Sequence, residues 1–249
     1  MQTLAEKTIF ITGANRGIGR ALVDEALLRG AKRVYAGTRG AFQHPDGRVS
    51  PVSLDVTDAV QIQRAAEQVS SLDVLVNNAG IAIYDDLSDI AVIEQHLAVN
   101  LYGLLNVTRA FLPQLKRANG AIVNNVSLVG LAALPIIAGY SISKAAAFNA
   151  TQSLRAILAS HGVSVHAVVL GPVDTDMNRG FDIPKATTES AARGIFDGLA
   201  RGEDEIFPDP ASLAIAEGWR SGVAKAMEQQ FKSFVSQSAP SSALSQSPA

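Results

Sequence analysis

The chain has 249 residues, 47% hydrophobic and 18% charged, with a formal net charge of -2 and no cysteine. That length suits one large domain or two small ones, and the apolar share is enough for a sizeable core. With no basic run and no uninterrupted apolar run of spanning length, neither nucleic acid nor a membrane is an expected partner. The missing thiols exclude disulfides, thiolate catalysis and cysteine metal sites.

The opening "MQTLAEKTIFITG" lacks the basic start and long apolar core of a signal peptide, so the cytoplasm is the expected compartment. From there strand-length apolar runs alternate with segments of helical period. Strands are expected at 8–12, 33–38, 49–55, 72–78, 120–127 and 163–170. Helices are expected at 17–29, 59–69 (capped by Thr57 or Asp58), about 88–118 and about 138–160. Further helices are expected at about 188–200 and about 210–233, the latter opened by Asp209 and Pro210, with a brief strand "DEIF" between them. Nearly all-apolar, Val/Ile-rich strands alternating with helices predict an α/β fold: one doubly wound parallel sheet of about seven strands with helices on both faces. Between the second and third strands lies only "RGAFQHPDGR", so the crossover helix there is expected to be very short or absent. Residues 1–234 read as a single catalytic domain, and the small, polar, uncharged end 235–249 as a disordered tail.

Three stretches carry chemistry. "TGANRGIG" joins the first strand to the first helix. Gly13 permits a tight turn, and Gly17 and Gly19 remove side chains where a pyrophosphate approaches the backbone at a helix N-terminus. A glycine-rich turn alone is weak, but strand before and helix after strengthen it. "YSISK" puts Tyr140 and Lys144 one helical turn apart on one face. A neighbouring ammonium favours the phenolate and is expected to pull the tyrosine pKa down, readying the pair for proton transfer. Alone, that spacing is common by chance on an amphipathic helix. Ser127 ends the fifth strand at the carboxyl edge of the sheet, where ligands bind in this architecture. Asn100 sits inside a predicted helix, where asparagine is a mediocre former. The four histidines (44, 96, 161 and 166) show no metal-ligand clustering and read as structural or exposed.

"TGANRGIG", "LDVTD", "NNAG", Asn100, Ser127, "YSISK" and "GPVDT", in this order, resemble the short-chain dehydrogenase/reductase family over roughly residues 5–180. The G-x-x-x-G-x-G spacing and short chain look like its single-domain branch, with a Rossmann-type fold. The resemblance implies Tyr140 as catalytic acid/base and Ser127 as the group that orients the substrate carbonyl. It implies Lys144 as the group that lowers the Tyr140 pKa and binds the nicotinamide ribose. Asn100 would hold a water that links Lys144 to solvent. It further implies that Gly13, Asn15, Arg16, Gly17, Ile18 and Gly19 line the phosphates, Asp55 and Val56 flank the adenine, and Asn77, Ala79 and Gly80 wall the adenosine side. Pro172, Val173 and Thr175 would sit against the nicotinamide. No metal is implied.

Two features depart from the family pattern. The usual "PG" after the sixth strand is Gly171-Pro172 here, and the glycine-rich ending many relatives use to pack tetramers is missing. A homodimer or homotetramer is therefore expected through the helices at 88–118 and 138–160.

The second strand ends in Thr38 and Arg39 where an acid usually grips the NAD ribose. A guanidinium there can pair with a 2′-phosphate, which points to NADP(H) over NAD(H). The expected substrate-facing residues are Ile81, Ile83, Tyr84, Leu128, Val129, Leu131, Leu134, Met177, Asn178 and Phe181, mostly apolar. They imply a hydrophobic ketone, aldehyde or secondary alcohol under a short mobile lid. A carrier-bound substrate would want a basic patch, and only Arg179 and Lys185 are at hand. The alternative function is a non-catalytic nucleotide-binding regulator that keeps the fold; loss of Ser127, Tyr140 or Lys144 would have favoured it.

Overall fold

Successive side chains in "TIFIT" point to opposite faces of a strand, and all five are buried. Ile9 and Ile11 pack with Leu22, Val23 and Ala26 on one side, together with Ile195 and Phe196. Phe10 packs with Leu75, Phe111 and Leu115 on the other. A strand apolar on both faces must lie inside a sheet covered twice. The computed structural model, which describes residues 3–237, has that architecture.

The strands are β1 (Thr8–Thr12), β2 (Arg33–Thr38), β3 (Val49–Ser53), β4 (Val74–Asn77), β5 (Ala121–Asn125), β6 (Ser164–Val168) and β7 (Glu205–Ile206). All pairings are parallel, in the order β3-β2-β1-β4-β5-β6-β7. The order reverses between β1 and β4, which opens a crevice beyond their carboxyl ends. The helices are α1 (Gly17–Leu28), α2 (Ala59–Gln68), α3 (Ile90–Leu97), α4 (Leu104–Ala118), α5 (Ala138–Ala159), α6 (Thr188–Arg201), α7 (Pro210–Arg220) and α8 (Val223–Gln237). The α1 and α6 layer covers one face; α2, α4 and α5 cover the other. Asp58 caps α2, its side chain accepting from the Val60 and Gln61 N–H groups. Asp209 caps α7 in a reciprocal box with Ser212.

Four features differ from the sequence expectations or refine them. The single helix expected over 88–118 is interrupted by a π turn at Ala98–Gly103, which contains Asn100. Gly103 explains the crowding there: a Cβ on it would lie 2.7 Å from Val56 Cγ2. The helix expected over 210–233 is two, broken at Ser221-Gly222, and α8 runs past the expected domain edge at 234. Ser127 is not the last residue of β5; it caps a following 3-10 turn, Leu128–Gly130. The Gly171-Pro172 inversion has a packing reason. Gly171 N donates to Asp209 Oδ2 at 2.8 Å, and a Cβ on Gly171 would lie 2.3 Å from Asp209 Oδ1. Of the expected tail 235–249, the first three residues belong to α8, and 238–249 lie outside the described residues.

No helix joins β2 to β3. Side chains hold the connection instead. His44 Nε2 meets Asp24 Oδ1 at 2.9 Å, the Arg20 guanidinium lies 5.3 Å from the centre of the Phe42 ring, and Arg48 donates to the Leu27 and Ala31 carbonyls at the end of α1. At the other edge of the sheet a buried ionic cluster ties α5, β7 and α8 together. Arg155 is 6% exposed; it pairs with Glu205 at 2.8 Å and with Glu228, while Lys225 reaches Glu205 at 2.7 Å and Glu228 at 2.8 Å.

Candidate active site

The glycine turn comes first because it sets how closely anything can approach β1. Gly17 has φ 54°, a left-handed conformation costly for other residues. A Cβ on Gly19 would lie 2.0 Å from the Gly13 carbonyl oxygen, so only hydrogen fits there. With side chains excluded, the main-chain N–H groups at the start of α1 face open space, as an anion requires.

That space is a cavity of ≈ 310 Å³ running along the crevice. Gly13, Asn15, Arg16, Gly17, Ile18 and Gly19 line its floor; Thr38, Arg39, Asp55 and Val56 line one end; Ala79, Gly80, Tyr140, Lys144 and Thr175 line the other. Arg39 is exposed and, among the described residues, makes no ion pair within 4.0 Å. Thr38 Oγ1 donates to the Gly40 carbonyl at 2.7 Å, which shapes the turn that presents Arg39. Asp55 is a turn acid: the Thr57 N–H and hydroxyl hold its carboxylate below the usual range.

Asn77, Asn100, Ser127, Pro172 and Val173 do not line this cavity. Asn77 turns into the core, donating to Thr108 Oγ1 and Asn124 Oδ1 at 2.9 Å each. The asparagine of "NNAG" that lines the cavity is the next one, Asn78, which the sequence left unassigned. Asn78 Nδ2 donates to the Thr12 and Gly13 carbonyls at 3.0 and 3.3 Å, and its Oδ1 accepts from Asn125 Nδ2 at 3.0 Å. Strand alternation sends adjacent asparagines opposite ways, but which one faces the crevice depends on register. Val173 is buried; its carbonyl accepts from Asn178 Nδ2 at 2.8 Å, so Asn178 props the loop after β6.

At the inner end, the Ser127 side chain is the polar neighbour of the Tyr140 phenol, and its Oγ donates to the Leu170 carbonyl at 3.3 Å and accepts from Val129 N at 3.4 Å. The Lys144 ammonium lies 5.6 Å from the centre of the Tyr140 ring and donates to the Asn125 carbonyl at 2.7 Å. The expectation of a lowered Tyr140 pKa does not hold: the net shift is upward. Burial pushes the Tyr140 phenol up to about 12, the Ser127 hydrogen bond opposing it, and pushes Lys144 down to about 8. Desolvation outweighs the attraction because each group gives up its water and neither has a carboxylate partner.

Asn100 is 2% exposed, and both its amide protons are used, toward the Ile81 carbonyl and Ser143 Oγ at 2.9 Å each; Oδ1 accepts from Ile81 N at 2.9 Å. It ties the loop after β4 to α5. A Cβ on Gly80 would lie 3.2 Å from Asn100 Oδ1 and 3.6 Å from Lys144 Nζ. Glycine therefore leaves one polar point open between these two groups.

Of the expected substrate-facing residues, Ile81 and Met177 reach the cavity. Tyr84 stacks on Phe181, ring centres 5.8 Å apart, joining the loop after β4 to the loop after β6. Leu128 and Leu131 are half-buried and pack against the cluster that holds Phe148 and Val169 rather than lining the cavity. The loop after β6 is pinned at its base by a bridge between Val173 and Ala186, and at its side by Asp176, which pairs with Arg16 at 2.8 Å and with Arg179.

Residues 7–185 match the family model for short chain dehydrogenases, and the chain belongs to that family. It is an oxidoreductase of that family on a Rossmann-like seven-stranded parallel sheet. Among curated relatives, oxidoreductase UcpA of Salmonella typhimurium is 34% identical over 71% of this chain and 73% of its own length. The 3-oxoacyl-[acyl-carrier-protein] reductase FabG of Thermotoga maritima is 35% identical over 76% and 82%. A crystal structure of a short-chain dehydrogenase from Burkholderia cenocepacia J2315 in complex with NADP superimposes with a TM-score of 0.84. It is 36% identical and covers 92% of this chain and 98% of that one. Among the described residues no helix is long and apolar enough to cross a membrane.

Proposed function

We propose that the protein is an NADP(H)-dependent carbonyl reductase, or in reverse an alcohol dehydrogenase, for mid-sized hydrophobic ketones, aldehydes or secondary alcohols. One observation carries this reading: Tyr140, with Ser127 behind it, closes the inner end of a cavity whose outer end presents Arg39, which makes no ion pair within 4.0 Å among the described residues. The side-chain-free glycine floor fits a pyrophosphate, and Arg39 with Thr38 fits a ribose 2′-phosphate better than a bare ribose diol. The NADP-bound Burkholderia neighbour supports the same cofactor. Bound there, NADPH supplies the reducing equivalent.

The chain's own residues handle the oxygen. A phenol held near 12 is fully protonated at neutral pH, so Tyr140 stands ready as an acid. Ser127 holds the carbonyl oxygen beside it, and Tyr140 gives its proton as negative charge grows there. The phenolate left behind is stabilised by the Lys144 ammonium, still mostly charged at neutral pH with a pKa of about 8. The open point beside Gly80 suits the water through which Lys144 resupplies the proton, with Asn100 Oδ1 as its second partner. The apolar rim of Ile81, Met177, Tyr84 and Phe181 favours a hydrophobic substrate. Tyr102, Ile142 and Ile157, 54%, 42% and 53% exposed, support pairing of two copies through the π turn and α5.

The test is NADPH oxidation with a panel of hydrophobic ketones, run beside Tyr140→Phe. A variant as active as the parent removes the mechanism. A parent that binds NADPH but turns over nothing in either direction removes the enzyme.

A further inference from the structure

The first turn of α5 carries Tyr140, yet its own N-cap residue, Ile137, makes no side-chain cap. The cap comes from the loop after β4. Gly139 N donates to both carboxylate oxygens of Asp85, at 2.8 and 3.0 Å. Asp85 also bridges Ile137 through the backbone. Behind this contact lies His96 of α3, 0% exposed. Its Nε2 accepts from Ile83 N at 2.9 Å, so the neutral ring carries its proton on Nδ1. Burial holds the imidazole below the usual histidine range, the Asp85 charge opposing this in part. The Nδ1 side turns back toward the Val92 carbonyl, one helical turn earlier, and the ring meets the Tyr140 ring edge-on with centres 6.1 Å apart. A Cβ on Gly139 would lie 3.1 Å from His96 Nδ1 and 3.2 Å from Asp85 Oδ2, so a side chain there would crowd both.

His96 thus stands one ring away from the proposed proton donor, tied to the loop after β4 on its other side. We infer that Asp85 and His96 are positioning residues for Tyr140. Asp85 fixes the first turn of α5 in azimuth. His96 holds residue Ile83 with one nitrogen and presses the Tyr140 ring toward Ser127 with its edge. Small rotations of that turn move the phenol oxygen out of line with the substrate oxygen, and misplacements on the order of 1 Å cost about 100-fold. The inference rests on Tyr140 being the proton donor proposed above.

The experiment uses the full chain with saturating NADPH and the best ketone. Asp85→Ala is expected to lower kcat at least tenfold while the NADPH dissociation constant, read by cofactor fluorescence, stays within twofold. Asp85→Asn keeps one acceptor for Gly139 and is expected to recover kcat to within about threefold of the parent. His96→Leu should behave like Asp85→Ala, and His96→Gln, which keeps an acceptor for Ile83 N, should recover. Independently of turnover, near-ultraviolet titration against Tyr140→Phe reads the Tyr140 phenol, whose polar and charged neighbours are Ser127, Lys144, His96 and Asp85. Its midpoint should move in Asp85→Ala and His96→Leu and return in the conservative variants. Unchanged kcat and midpoint in both damaging variants overturn the inference. So does equal loss in the damaging and conservative variants, or parallel loss of NADPH binding, which would mark a merely structural contact. If the parent itself turns over no substrate, the function reading fails, and the titration still decides positioning.

Discussion

The two ends of the cleft are built by opposite means. At the outer end, the glycine floor works by absence: Gly17 and Gly19 bring bare backbone to the cavity, and the side chains that matter, Arg39 and Arg16, stand at its rim. At the inner end, Tyr140, Ser127, Lys144 and Asn100 are held by side-chain hydrogen bonds from β5, α5, the π turn and the loop after β4. A floor made of backbone tolerates almost no added atom but does not depend on distant partners. A cluster of buried side chains depends on every element that orients it. The first end should therefore fail by steric insertion, and the second by loss of a proton or of alignment.

The largest effect expected at the inner end is Tyr140→Phe, which removes the proton donor and should lower kcat about a thousandfold with NADPH affinity unchanged. Stopped-flow turnover beside equilibrium binding separates the two. Lys144→Met should lower kcat about 100-fold and leaves a thermal signature. The folded-state pKa of Lys144, about 8, lies below its unfolded value of 10.5, so the unfolded chain binds more protons between these pH values. Wild-type stability should rise across pH 8 to 10 relative to Lys144→Met. A Tm difference that is flat over that window contradicts a buried, unpaired ammonium. The raised Tyr140 pKa works the other way only above about pH 10, where the unfolded phenol ionises first.

At the outer end, Gly19→Ala puts a Cβ against the Gly13 carbonyl. It should cost about 1–3 kcal/mol of stability and most of the NADPH affinity, seen as a lower denaturant midpoint and an absent cofactor-induced Tm rise. Arg39→Asp should shift the NADPH/NADH preference by about 10- to 100-fold toward NADH, the loss of a charge-assisted phosphate contact. An unchanged ratio of kcat/KM values would leave the 2′-phosphate assignment without a basis. The smallest effect is Asp176→Asn. Arg16 holds the Asp176 carboxylate below its usual pKa range by pairing with it over the phosphate end. Releasing Arg16 and removing a like charge should tighten NADPH binding by a few-fold, and weaker binding would mean the pair helps to close the loop.

The outer end was the more legible in sequence. Glycine positions, the Thr38-Arg39 ending of β2 and the missing crossover helix are local, and backbone sterics act within a few residues of the motif. The inner end was legible only as a list. Which asparagine of "NNAG" faces the crevice, the break of the 88–118 helix at Asn100, and the Asp85 cap on Gly139, 54 residues later, all depend on what packs opposite. The apolar residues near the sheet edge show the same limit, since Leu128 and Leu131 look like Ile81 and Met177 in sequence but lean against the core beside the cavity.

By itself the sequence determined the alternating α/β layout, the family, and the residues that can carry hydride-coupled proton chemistry, because period, glycine placement and motif order are properties of short stretches. Only the tertiary structure decided how charged those residues are and what aims them. Burial sets the Tyr140 and Lys144 pKa values in opposite directions. Arg155, Glu205, Glu228 and Lys225 become a buried cluster that fastens α8. His96, one histidine of four without a motif, becomes the ring against Tyr140. Desolvation and contact depend on the whole fold around a group, so no stretch of sequence states them.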